Sequence, residues 1–176
     1  MTAAGAPKSE GASVLLPAAA APTTQDALGL LRADHQRVDA MLADCERLGG
    51  NLEASAADRS GLVSRLGALL IAHAQMEQQL FYPILGLDAA QLEQATADHA
   101  SVETSLQALS NSNADDDGTE NFAARIGVLA QQVRAHVKQE EAEFFPKATS
   151  AGIDLHELGT QMALRRGTLL GDQGID

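Results

Sequence analysis

Apolar residues return at steps of three and four along four stretches of the chain, and a histidine interrupts each series. The first series is Leu28, Leu31, His35, Val38, Leu42, Cys45, and the third is Leu92, Ala95, His99, Val102, Leu106, Leu109. The second reads Val63, Leu66, Leu70, His73, Glu77, Phe81, and the fourth Ile126, Leu129, Val133, His136, Glu140, Phe144, so that a carboxylate joins the histidine there. Such a period marks one helix face turned toward a core.

Capping and breaking residues set the limits. The first helix is predicted from about Asp26 to Leu48, stopped by Gly49 and Gly50, and the second from about Ser55 to Tyr82, stopped at Pro83. Asp88 caps a third that closes in the acidic, turn-forming run 111–118, and Thr119 caps a fourth that ends before Pro146. An amphipathic segment over 153–166 predicts a short C-terminal helix packed across one end. Four long helices, each apolar on one stripe and joined by short connections, make an all-α, up-down-up-down antiparallel four-helix bundle over 25–148. The segment 149–176 follows it. Residues 1–24, rich in Ala and Pro without any apolar period, read as a disordered tail. The apolar run 13–21 imitates a secretory leader, but Glu10 offsets Lys8 and Pro17 interrupts the run, so the tail is the stronger reading.

The bundle is written twice. His73, Glu77 and Pro83 lie 63 residues before His136, Glu140 and Pro146, and DHQRVD (34–39) lies 64 residues before DHASVE (98–103). The halves 25–87 and 88–148 are therefore copies of one helical hairpin. Packed antiparallel about a pseudo-twofold axis, they set His35 and His73 opposite His99 and His136.

Composition narrows the partners. A chain of 176 residues buries most of its apolar surface without staples, so a metal is not needed to hold it folded. The single Cys45 forms no intramolecular disulfide and suits a reducing, cytoplasmic compartment. A formal net charge of -12 opposes nucleic acid and anionic membrane surfaces, and no stretch is long and apolar enough to span a bilayer.

A histidine and a glutamate four residues apart share one helix face and reach one small volume, which makes each pair a chelate. Each half offers one metal two imidazole nitrogens, and Glu77 and Glu140 each have two oxygens with which to bridge two metals. Two bridging carboxylates leave a pair of divalent ions about two positive charges in excess, which invites hydroxide or oxide between them. Nitrogen and oxygen ligands with open positions suit iron better than calcium or magnesium, with zinc, copper or manganese as other occupants. One histidine on an apolar stripe is ordinarily a hydrogen-bonded core residue, and one H-x3-E pair ordinarily stabilises a helix. Four histidines and two glutamates at matched core positions are different, because burying them without partners costs several kcal/mol. His156 falls outside the repeat and reads as a surface or packing residue. Cys45 has no nucleophile-activating histidine arrangement around it, and no phosphate-binding glycine loop occurs.

The order His35, His73-x3-Glu77, His99, His136-x3-Glu140, with LFYP and EFFP closing the two chelating helices, resembles the hemerythrin-like, or HHE cation-binding, domain family over about residues 26–146. The resemblance implies two iron ions in an oxo- or hydroxo-bridged diiron centre inside the bundle. It further implies reactivity toward dioxygen, hydrogen peroxide or nitric oxide, in oxygen carriage, sensing, catalase-like peroxide decomposition during oxidative stress, or iron handling. Oxygen-carrying hemerythrins have H-x3-H on the third helix, whereas this chain has His99 followed by Glu103. Glu103 is thus a candidate extra ligand or proton-moving base, and Asp39, its counterpart in the first half, a weaker one; both flank the stripe. Those carriers also space their last pair as H-x4-D, which would select Glu141, but the internal repeat favours Glu140. The expected function is small-ligand binding or turnover at a diiron site, with a non-catalytic oxygen or iron sensor or an iron store as the alternative.

Overall fold

The computed structural model describes residues 25–51, 53–111 and 119–172, so the expected tail 1–24 and most of the acidic run 111–118 lie outside the described residues. Four long helices form the frame: α1 (Ala27–Gly49), α2 (Ala56–Met76), α3 (Ala89–Asn111) and α4 (Thr119–Gln139). Their starts follow local chemistry. The Asp26 carboxylate accepts from the Gly29 amide at 2.7 Å, Ser55 and Asp58 exchange side chain to backbone bonds, and Asp88 accepts from the Gln91 amide at 2.8 Å. Each helix packs against its chain neighbour and α1 against α4 closes the ring, which is the up-down-up-down order. No strand occurs among the described residues.

The two prolines do not act as simple stops. Both chelating helices widen into a π-helical turn before them, at Glu77–Phe81 and again at Glu140–Phe144. A proline ring clashes with the carbonyl four residues earlier, and a turn bonded from i to i+5 moves that carbonyl aside. Pro83 sits within a 3-10 turn (Tyr82–Ile84), and Pro146 sits in the first turn of α5 (Phe145–Ser150), which carries the chain on as helix. The expectation that the fourth helix ends before Pro146 is corrected in this respect.

Two apolar compartments fill the bundle. One, at the end where α1 finishes, is built from Val38, Leu42, Leu66, Leu106, Ile126, Leu129 and their neighbours. The other, at the opposite end, gathers Leu31, Met76, Phe81, Tyr82, Phe144 and Phe145. Cys45 is buried in the first, where desolvation, then the charges of Asp44 and Glu46, push its thiol up to about 11 and keep it protonated.

The C-terminal helix, α6 (Leu155–Asp172), runs beyond the predicted 153–166 and lies against α1 and α2. Leu158 and Met162 enter the second apolar compartment. The helix comes closest at Gly159, where an added Cβ would lie 2.5 Å from the Gln25 carbonyl oxygen and 2.7 Å from the Ala27 nitrogen. Backbone cannot yield as a side chain does, so Gly159→Ala is expected to lower stability by about 1–3 kcal/mol, read from urea denaturation. An unchanged midpoint would mean that α6 is not seated against the start of α1.

Candidate metal centre

Between the two apolar compartments lies a polar layer. Each helix of the ring supplies one buried histidine: His35 from α1, His73 from α2, His99 from α3 and His136 from α4. Glu77 and Glu140, the first residues of the two π turns, are completely buried beside them. The structure thus brings six of the sequence candidates together.

Their Nε2 atoms face inward. Glu77 reaches His73 with Oε1 at 3.1 Å and His99 with Oε2 at 3.3 Å. Glu140 reaches His35 with Oε2 at 3.4 Å and His136 with Oε1 at 3.6 Å. Each carboxylate therefore spans both halves. The donor atoms form two sets, each within 4.8 Å: His35, His73, Glu77 and Glu140 in one, and Glu77, His99 and His136 in the other, where the two imidazole Nε2 atoms lie 2.9 Å apart.

The first set shows what such a layer lacks. His35 Nε2, His73 Nε2, Glu77 Oε1 and Glu140 Oε2 are all buried and make no hydrogen bond, each facing only another of the four, at 3.4 Å or 3.1 Å. Unpaired buried polar atoms are costly, and four of them converging on one point fit a cation. The electrostatics agree. Burial alone would depress His73, but Glu77 leads the groups that outweigh it and raise its pKa well above the ordinary value; Glu77 is correspondingly held low, its burial opposed first by His73.

The outward Nδ1 atoms repeat the twofold in their partners. His35 meets Glu141 at 2.9 Å and His99 meets the amide of Gln78 at 3.1 Å, while His73 faces Asp34 at 3.8 Å and His136 faces Asp98 at 3.5 Å. Such outer groups orient an imidazole and fix which nitrogen faces a metal. Glu141, whose side chain is 43% exposed, stands behind His35, whereas Glu140 faces the interior.

Aromatic rings close one side. Phe145 stacks on His35 with centroids 5.8 Å apart, and Tyr82 stacks on His99 at the same distance. The Tyr82 hydroxyl donates to Glu140 Oε1 at 2.6 Å and lies 3.3 Å from Glu77 Oε2. Burial, then Glu77 and Glu140, raise its pKa far above the usual tyrosine value, which keeps the phenol a donor. On the other side a cavity of about 250 Å³ touches all four histidines. Val38, Leu70, Val102 and Val133 line it, and it reaches the surface between α2 and α3 past Gln75, Gln78 and Glu103.

The other candidates lie outside the donor sets, although Glu103 lines the cavity. Glu103 is exposed, accepts a 3.4 Å bond from Gln107, and belongs to neither donor set. Asp39 is exposed and paired with Arg134 at 2.8 Å. His156 is exposed near the start of α6. Sequence reasoning passed over Tyr82, Asp34, Asp98 and Gln78 as site residues, and weighed Glu141 only as an alternative to Glu140. The signals were present: Asp precedes His35 and His99 alike, and Tyr82 stands where the second copy has Phe145.

Residues 26–148 match the family described as Hemerythrin HHE cation binding domain. No curated protein matches the chain. Among solved structures, a hemerythrin HHE cation-binding domain-containing protein from Mycobacterium kansasii is similar, with a TM-score of 0.71 at 22% identity over 84% of this chain and 89% of that one. At that identity the likeness speaks for the fold. No helix among the described residues is long and apolar enough to cross a membrane.

Proposed function

The chain belongs to the hemerythrin HHE cation-binding domain family, and on that footing we propose that it is a diiron protein that binds or transforms dioxygen, hydrogen peroxide or nitric oxide. His35 and His73 would hold one iron and His99 and His136 the other, with Glu77 and Glu140 shared between them. The observation that carries this reading is the convergence within 4.8 Å of four buried nitrogen and oxygen atoms that make no hydrogen bond. Bound iron would supply one-electron redox chemistry and positions open to a small ligand.

The remaining roles belong to the chain itself. Glu141 and the Gln78 amide hold the His35 and His99 imidazoles by hydrogen bonds to Nδ1, and Asp34 and Asp98 set negative charge beside Nδ1 of His73 and His136. Tyr82 fixes one oxygen of Glu140 by its hydroxyl. The valine- and leucine-lined cavity, about 250 Å³, has room for dioxygen or a peroxide and for larger molecules as well, and its apolar wall limits water beside the histidines.

Metal analysis and an optical spectrum of aerobically purified protein, repeated after adding hydrogen peroxide, test the reading. About two irons per chain, near-ultraviolet absorption and gas release are expected from a peroxide-decomposing centre. Two irons with no turnover would favour the sensing or storage alternative. Failure to take up any iron, in folded protein after reconstitution, would sink the proposal.

A further inference from the structure

α6 lies beyond residues 26–148, the part of the chain that matches the family, yet it reaches the polar layer. Arg166 on α6 places its guanidinium 2.7 Å from Asp34 Oδ1, and the other oxygen of Asp34 faces His73 Nδ1 at 3.8 Å, a charge contact rather than a hydrogen bond. Asp34 is only 2% exposed. A carboxylate so deep requires a charge partner, and Arg166 supplies one through its Nη2 alone, its buried Nε making no hydrogen bond. The matched carboxylate of the second half is held differently. Asp98 takes a 2.7 Å bond from the Gln94 amide, and its side chain is 29% exposed while it faces His136. The twofold obeyed by the inner residues is thus broken behind them, and α6 is the element that breaks it.

We propose that Arg166 is a positioning residue: through Asp34 it orients His73, so that the C-terminal helix strengthens metal binding in the His35/His73 half and leaves the His99/His136 half unaffected. The inference rests on the two-metal reading above. It assigns to α6 a part in the metal centre that packing alone would not give it. The half held by α6 keeps its ion more tightly, and the half backed by Asp98 and Gln78 exchanges its ion more readily.

The test is an anaerobic competition titration of the full-length protein with iron(II) against a chromophoric chelator, which resolves two binding constants. In Arg166→Met, which leaves Asp34 in place without its charge partner, one constant is expected to weaken by about 10-fold, the low end of the cost of losing an outer partner, with the other unchanged. Arg166→Lys keeps the charge and should recover part of that loss. Asp98→Asn should weaken the opposite constant. Arg165→Met removes the bond from its neighbour on α6 to Gln79 without touching Asp34, and should behave like the wild type. If Arg166→Met does not fold, Asp34→Asn cuts the same link from the other end and should give the same selective loss. Two constants that stay unchanged, or fall together, would overturn the role of Arg166. A wild-type chain that binds no iron would instead overturn the metal reading, and the inference with it.

Discussion

Glu77→Gln is expected to empty both halves of the centre, whereas His99→Ala should empty one. Glu77 belongs to both donor sets, with one oxygen 3.1 Å from His73 and the other 3.3 Å from His99. Glutamine keeps the shape of the side chain but replaces an anionic oxygen by an amide N–H, which repels a cation and has no lone pair to offer. One half loses its oxygen and the other keeps only a neutral amide oxygen in place of a carboxylate, so both ions should weaken, the first by more than the roughly 100-fold that marks loss of an outer partner. Iron content measured by elemental analysis should therefore fall from two per chain to well under one. In His99→Ala the set of His35, His73, Glu77 and Glu140 is intact, and about one iron should remain. Circular dichroism would check that both variants are folded. If Glu77→Gln retained its iron, the shared carboxylate would not be a ligand.

Removing the metal should lower the melting temperature without dissolving the helices. A ligand present at about 1,000 times its dissociation constant stabilises the folded state by about 4 kcal/mol. For a chain of this size 1 kcal/mol corresponds to roughly 2–4 °C, so chelation should lower the melting temperature by roughly 10 °C, reversibly on adding iron(II). The helical signal should survive at ambient temperature. The two apolar compartments lie on either side of the polar layer, and each joins several helices without it. Glu77→Gln should show no chelator effect, which separates metal loss from chelator artefacts. A melting temperature that ignores proven removal of the metal would mean the layer contributes nothing to stability.

The inner layer was legible because its residues break a strong rule. A histidine such as His35 between Leu31 and Val38, or a glutamate such as Glu140 between Val133 and Phe144, contradicts the apolar stripe that surrounds it, and the contradiction recurs four times in register. The outer layer breaks no rule. Asp34, Gln78 and Glu141 lie beside the stripe, where polar residues are ordinary, and only the folded chain shows that they stand behind an imidazole. Arg166 was harder still, because its partner is far away in sequence on α1 and no helical period connects them. The widened turns escaped notice for another reason. Pro83 and Pro146 were legible as interruptions, but a proline reads alike whether the helix breaks or loosens upstream of it.

Those loosened turns act as a phase shift. In an unbroken α-helix, a residue five places after Glu77 would project about 140° around the axis, away from the carboxylate. With the extra residue absorbed in the turn, the Tyr82 amide bonds back to the Glu77 carbonyl and its hydroxyl comes within 3.3 Å of the same glutamate. Each chelating helix thus carries two amphipathic frames in succession, one that aims the histidine and glutamate and one that aims the aromatic pair. A single deleted residue at the junction would restore a regular helix and turn the second frame away from the first.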